Sequence, residues 1–332
     1  MKKLIPLLIS SILLILLGIA VGPVRISLSE ILASFSLENI KIAFSSPNML
    51  EENAYIILQI RLPRIILAYL VGLSLASAGT ASQALFKNPL ADPYIIGISG
   101  GAAVGASIAA LYFPQYMGLF ALLGALLAVI TVYRIAKVNG HIPVDTLLLA
   151  GIALGFFTSA LTSYLLYVGR ERIHNAIFWL MGTFNGADWG DVKLVLLSSI
   201  LGVGVLLFSW RELNLLLLGE ESIAMGLDIN LYRKIVIGII SLLTSFAVAT
   251  SGIIGFVGLI SPHAMRIVFG PNHKKLLPAS ALFGGTLMVF ADILARILLK
   301  PAEVPVGIIT ALFGAPFFIY LLMKKKRGEL FG

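Results

Sequence analysis

The residues able to do chemistry in this chain are arginines and glutamates rather than nucleophiles or metal ligands. Arg61 and Arg64 stand three apart, and Arg296 follows Asp292 by four. Guanidinium groups so placed can grip carboxylates of an acidic partner through charge-assisted hydrogen bonds. The other reading is of side chains reaching for lipid headgroups, with Asp292 and Arg296 as an i,i+4 helix pair. Glu220 and Glu221 open the stretch GEESIAMGLDINLYRK, and Arg170, Arg172 and His174 share GRERIHN. His141, His174, His263 and His273 are scattered, with no H-E-x-x-H, so no metal-dependent catalysis is visible. No Gly-Lys dipeptide occurs; the phosphate loop G-x-x-x-x-G-K-[ST] is therefore absent. With no cysteine, thiolate and disulfide chemistry are excluded.

The elements that must position these groups are membrane helices. Of 332 residues, 59% are hydrophobic and 12% charged, against about a quarter charged in soluble domains. Apolar runs near the roughly 20 residues needed to cross a bilayer recur along the whole chain. They fall at Leu4–Val21, Leu62–Phe86, Tyr94–Phe113, Gly118–Val132, Thr146–Val168, Val192–Trp210, Ile235–Ala249, Ile253–Phe269, Leu276–Leu298 and Val304–Met323. The opening run is long for a signal peptide and other spans follow it, so it reads as an uncleaved first span. Ala176–Met181 is too short to cross and reads as re-entrant or interfacial. The expected fold is thus an all-α polytopic membrane protein of about ten transmembrane helices, one domain over residues 1–332.

An even number of spans puts both termini on one side. Fifteen of the 24 lysines and arginines then share that side and nine lie opposite, which makes the termini cytoplasmic. The net charge of +8 is accounted for by that bias, not by nucleic acid. The stretch Gly219–Lys234 falls on the cytoplasmic side, flanked by apolar runs. Its charges cannot sit in lipid. A short helix over Ser222–Gly226, stopped at Gly226, with Asp228 capping the next helix, predicts a compact knob for another protein to grip. Gly97, Gly101 and Gly105, and Gly252, Gly255 and Gly258, have the spacing of close helix contacts. SGIIGFVGLISPH, with Pro262, predicts a bend near the cytoplasmic end of its span. Only Asp292 places a carboxylate within a span, which disfavours an ion-coupled carrier, the alternative class kept in view.

Eight ordered motifs carry a family resemblance from about Ile60 to Lys324: RLPR (Arg61–Arg64), QALFKNPLADP (Gln83–Pro93), LLLAGIALG (Leu147–Gly155), WLMGTFNGADW (Trp179–Trp189), LNLLLLGEESIAMGL (Leu213–Leu227), GIIGFVGLISPHAMR (Gly252–Arg266), ADILAR (Ala291–Arg296) and PVGIITALFGAPFFIYLL (Pro305–Leu322). The chain resembles the permease subunit of type II ABC importers for vitamin B12, haem and ferric siderophores. The resemblance implies a transport subunit rather than an enzyme, in the plasma membrane of a prokaryote. It implies a homodimer, two ATPase subunits that bind ATP and magnesium in place of this chain, and a soluble or lipid-anchored extracytoplasmic substrate-binding protein. By position, Gly219, Glu220, Glu221, Ala224, Gly226 and Leu227, within a cytoplasmic loop at about 211–234, match the element that docks on the ATPase. Arg61, Arg64 and Arg296 match arginines that pair with the binding protein. Val144 and Asp145 fall at the family's inner gate, where Val144 departs from the small polar residues of some relatives. Arg170, Arg172 and His174 would stand near the substrate mouth, against an anionic or haem-like ligand or simply as a solvated loop.

Overall fold

The computed structural model describes residues 3–169, 174–300 and 302–326, and those are all helices joined by short connections. α1 (Leu4–Ala20) is followed by two short helices, α2 (Leu28–Ser34) and α3 (Leu37–Ser45). Ser27 and Glu30 form a capping box on α2, and Ser36 caps α3. The Ser27 hydroxyl, with its N–H, holds the Glu30 carboxyl below its ordinary pKa. α4 (Glu52–Tyr55) runs through a π-helical turn at Ile56–Arg61 into α5 (Leu62–Leu85). Asp92 caps a 3₁₀ turn, Pro93–Ile96, that leads into α6 (Ile98–Tyr112) and then α7 (Met117–Ala136). Asn139 and Gly140, both at positive φ, turn the chain tightly between Val138 and His141. α8 (Val144–Gly169), α9 (His174–Leu180), α10 (Trp189–Phe208) and α11 (Trp210–Leu216) follow. The 3₁₀ segment Gly219–Met225 precedes α12 (Ile229–Ser251), α13 (Val257–Phe269), α14 (His273–Ile297) and α15 (Val306–Lys326).

Six helical stretches are long and apolar enough to cross a membrane: Glu52–Leu85, Pro114–Ala136, Val144–Gly169, Trp189–Phe208, Ile229–Ser251 and His273–Ile297. Leu4–Ala20, Ile98–Tyr112, Val257–Phe269 and Val306–Tyr320 are apolar but shorter. The longer helices sort by burial into a centre and a periphery. The apolar windows of α5, α12 and α14 are 61%, 61% and 72% buried, against 22% for α8. α5 is the axis: it packs on α10, α12, α13 and α14.

Backbones meet where side chains are missing. A Cβ at Gly79 on α5 would overlap the Gly258 carbonyl of α13, and one at Gly101 on α6 would overlap the Gly124 carbonyl of α7. Such contacts gain dispersion in a solvent that supplies no hydrophobic drive between helices. Of the six spaced glycines, Gly97 instead ends the 3₁₀ turn, and Gly255 faces open space.

The break lies within SGIIGFVGLISPH as expected, but at its first glycines and so at the start of the span, not at the cytoplasmic end near Pro262. Pro262 is carried inside α13, and the helix path breaks at residues 252–256, with Gly252 and Phe256 both at φ 69°. The freed backbone is satisfied from neighbours: the Thr183 N–H donates to Ser251 O at 2.8 Å and the Tyr94 hydroxyl to Ile254 O at 3.1 Å. The short apolar piece at 176–181 is what packs there, as the end of α9.

Gly79→Ala is expected to cost about 1–3 kcal/mol by forcing α5 away from α13. Gly204→Ala on α10, where a Cβ meets nothing within 4 Å, should leave the melting temperature in detergent unchanged or raised. Thermal unfolding of the two variants side by side checks the contact.

Candidate functional site

One end of the bundle carries the knob. Trp210–Leu216 and Gly219–Met225 form its two helical pieces, and Gly226, at φ 86°, stops the second. Asp228 caps α12 by accepting from the Leu231 N–H at 3.0 Å. Glu220, Glu221, Ala224 and Gly226 are exposed, Leu227 is half-buried, and Gly219 is buried beneath the Lys87 ammonium group. Two apolar side chains absent from the expected set share this tip, Ile223 at 54% and Met225 at 64% exposure. Their signal was present in the sequence as two apolar residues inside a charged stretch.

The knob is held from three sides. Arg233, buried on α12, donates to Glu220 at 3.0 Å. Asn214 on α11 accepts from both the backbone N–H and Nδ1 of His273, at 3.0 and 2.8 Å, and donates to Asn272 at 3.2 Å. Because one amide oxygen accepts both bonds, Nδ1 of His273 carries the proton. Lys87 closes the third side from the loop after α5. Val144 and Asp145 begin α8 at this same end, half-buried and exposed respectively. The Thr146 hydroxyl donates to Pro143 O at 2.9 Å in that first turn.

Between the ends, a groove of about 420 Å³ runs along α6 and α8, lined by Tyr94, Gly97, Ser99, Gly100, Gly151, Gly155, Ser159, Thr162 and Ser163, with Ile253 of the broken segment. Small residues make the space, and hydroxyls give it a weakly polar wall. A wider pocket of about 640 Å³ lies beyond α9, between Trp179, Thr183, Asn185 and Glu303. Among the described residues no three His, Asp or Glu converge as metal ligands.

At the opposite end, the arginines expected to grip an acidic partner or reach for lipid headgroups are turned inward. Arg61, Arg64 and Arg296 are 3%, 9% and 2% exposed. Arg61 donates to Ile19 O at 2.9 Å, to Ala20 O at 3.1 Å and to Val24 O. Arg296 donates to Gly18 O at 3.1 Å and Val21 O at 2.6 Å. The carbonyls left unpaired at the C-terminus of α1 are what draw them in, helped by the negative end of that helix. Asp292 lies between Arg64, at 2.8 Å, and Arg296, at 3.1 Å in the expected i,i+4 pair. Arg64 also holds Glu303 at 2.9 Å. Glu303, missed in the sequence, is the one carboxylate between α14 and α15. His174 is the first residue of α9; Arg170 and Arg172 lie outside the described residues.

Residues 8–324 match the model of the FecCD transport family. The cobalamin import system permease protein BtuC of Halobacterium salinarum is 47% identical over 293 residues, covering 86% of this chain and 79% of that protein. The vitamin B12 import system permease protein BtuC of an Escherichia coli strain is 40% identical over 279 residues, 81% and 84% of the two chains. A solved structure described as an inward-facing metal-chelate type ABC transporter superposes with a TM-score of 0.85 at 34% identity, covering 97% of this chain and 99% of its own.

Asp292→Ala leaves two buried guanidinium groups facing each other and should cost about 3–5 kcal/mol. Glu303→Ala removes a partner that is 25% exposed and should cost about 1 kcal/mol or less. Yield and melting temperature of the purified protein distinguish the two.

Proposed function

The chain belongs to the FecCD transport family, and from that premise we propose that it is the membrane permease subunit of an ATP-driven importer carrying a metal chelate inward. Cobalamin is the favoured cargo, because relatives at 47% and 40% identity carry that name; haem and ferric siderophores belong to the same chemical class. ATP and magnesium are assigned to two partner ATPase subunits. The exposed tip at Glu220–Gly226, tied to Arg233 and carrying Ile223 and Met225, is the observation that carries this reading. A charged rim around two apolar side chains suits insertion into a cleft on another protein.

In this reading the six long and four shorter apolar helices all cross the membrane, as a single domain with both termini and the tip in the cytoplasm. Two copies meet along a pathway lined by α8, whose outward face carries Phe156, Phe157 and Tyr167 at 76%, 64% and 82% exposure. Substrate passes from an extracytoplasmic binding protein through the pocket at Trp179 and Glu303 and along the groove of α6 and α8. Val144 and Asp145 close its inner end. Arg61 and Arg296 brace the docking end from beneath. Arg64, whose partner Glu303 is partly exposed, is the arginine best placed to exchange that partner for a carboxylate of the binding protein. Energy enters as the different affinities of the ATPase for two arrangements of the permease.

Co-purification with the cognate ATPase tests the assignment. Wild type should retain the ATPase, while Glu221→Arg and Ile223→Asp should weaken retention at least tenfold in a permease that still elutes as one species. Glu221 is the cleaner probe, since Glu220 is tied to Arg233. Failure of the wild type to bind an ATPase would move an ion-coupled carrier to the front.

A further inference from the structure

Arg233 touches two elements that are far apart in sequence. Its Nη2 donates to Glu220 in the tip at 3.0 Å, and its Nη1 to the carbonyl of Ile142 at 3.4 Å. Ile142 lies two residues before α8 begins, and its side chain is buried in the core at 1% exposure. Arg233 is itself buried, at 8% exposure, and its Nε is buried without a hydrogen-bond partner. Among the described residues, then, the partners of Arg233 are the tip on one side and the linker into α8 on the other. α8 continues from that linker to Gly151, Gly155 and Ser159 in the groove.

We propose that Arg233 is the positioning residue that ties movement of the Glu220 turn to movement of the 137–143 linker and so to the inner end of α8. This rests on the importer reading given above, and adds to it the side chain through which the tip acts on the pathway. The physical case has three parts. The linker is a tight turn at Asn139 and Gly140 closed by two backbone hydrogen bonds between Val138 and His141, at 3.0 and 2.9 Å, which keep its two ends paired. Ile142 is anchored by its side chain in the core and by its carbonyl at Arg233, so the first turn of α8 follows it. A planar guanidinium holds both partners at fixed relative directions, which a flexible ammonium group does not. Coupling between distant sites needs such a contiguous contact.

The natural chain has no cysteine, so introduced cysteines are clean reporters. Spin labels at His141→Cys and Ala224→Cys, both exposed positions, report the spacing of linker and tip in the permease alone, in nanodiscs. The expected result is one narrow distance distribution. It should broaden or shift in Arg233→Met and in Glu220→Gln, and change less in Arg233→Lys. Glu220→Gln cuts the same ion pair from an exposed carboxylate, so the test survives if Arg233→Met fails to fold. In the reconstituted complex, the amount transported per ATP hydrolysed should fall at least tenfold in Arg233→Met. Unchanged distances together with unchanged transport per ATP would overturn the proposal. Should wild type bind no ATPase, the importer reading fails, and the distance measurement still decides whether Arg233 joins tip and linker.

Discussion

Close backbone approach at α5 is the constraint on which the rest of this structure depends. Lipid offers helices no hydrophobic reason to associate, so their packing must come from dispersion and from polar contacts between them. Gly72 and Gly79 let α5 lie against Gly284 of α14 and Gly258 of α13. Ser74 adds a hydroxyl contact to Ser199 of α10 at 2.7 Å. With α5, α12 and α14 drawn into a buried centre, α8 is left at the rim with one free face, where a pathway or a second copy can use it.

The second demand of the bilayer is that every freed backbone group find a partner inside the protein. It is met differently at the two ends. Arg61 and Arg296 cap the carbonyls at the end of α1, and Asp292 balances the charge that this brings into the interior. The break at 252–256 is closed by Thr183 and Tyr94. One end is thereby a rigid brace. At the other, a few long side chains, Lys87, Asn214 and Arg233, hold small helical pieces against the bundle, an arrangement suited to transmitting displacement.

What could be read from residues alone was local. Gly226 as a stop, Asp228 as a cap and the Asp292–Arg296 pair follow from spacing and residue type, and the structure has each of them. The apolar runs marked every long helix, though α12 begins at Ile229, well before its apolar run at Ile235, while α8 extends its run only slightly, to Val144–Gly169. Partners distant in sequence were not legible. Nothing near Arg61 announces the carbonyls of α1, and nothing near Arg233 announces Ile142. In SGIIGFVGLISPH the glycines and Pro262 together marked a break, but which end of the stretch gives way is decided by the neighbours of 252–256, while Pro262 is carried inside α13. The inward turn of the three arginines was hidden because spacing reports a face, not what covers it.

Uptake of radiolabelled cobalamin into proteoliposomes containing this permease, its ATPase and its binding protein tests the central assignment most directly. The expected result is uptake that requires ATP inside the vesicles, is lost with a hydrolysis-deficient ATPase, and is indifferent to ionophores. Uptake that persists without ATP and collapses with the ion gradient would contradict it.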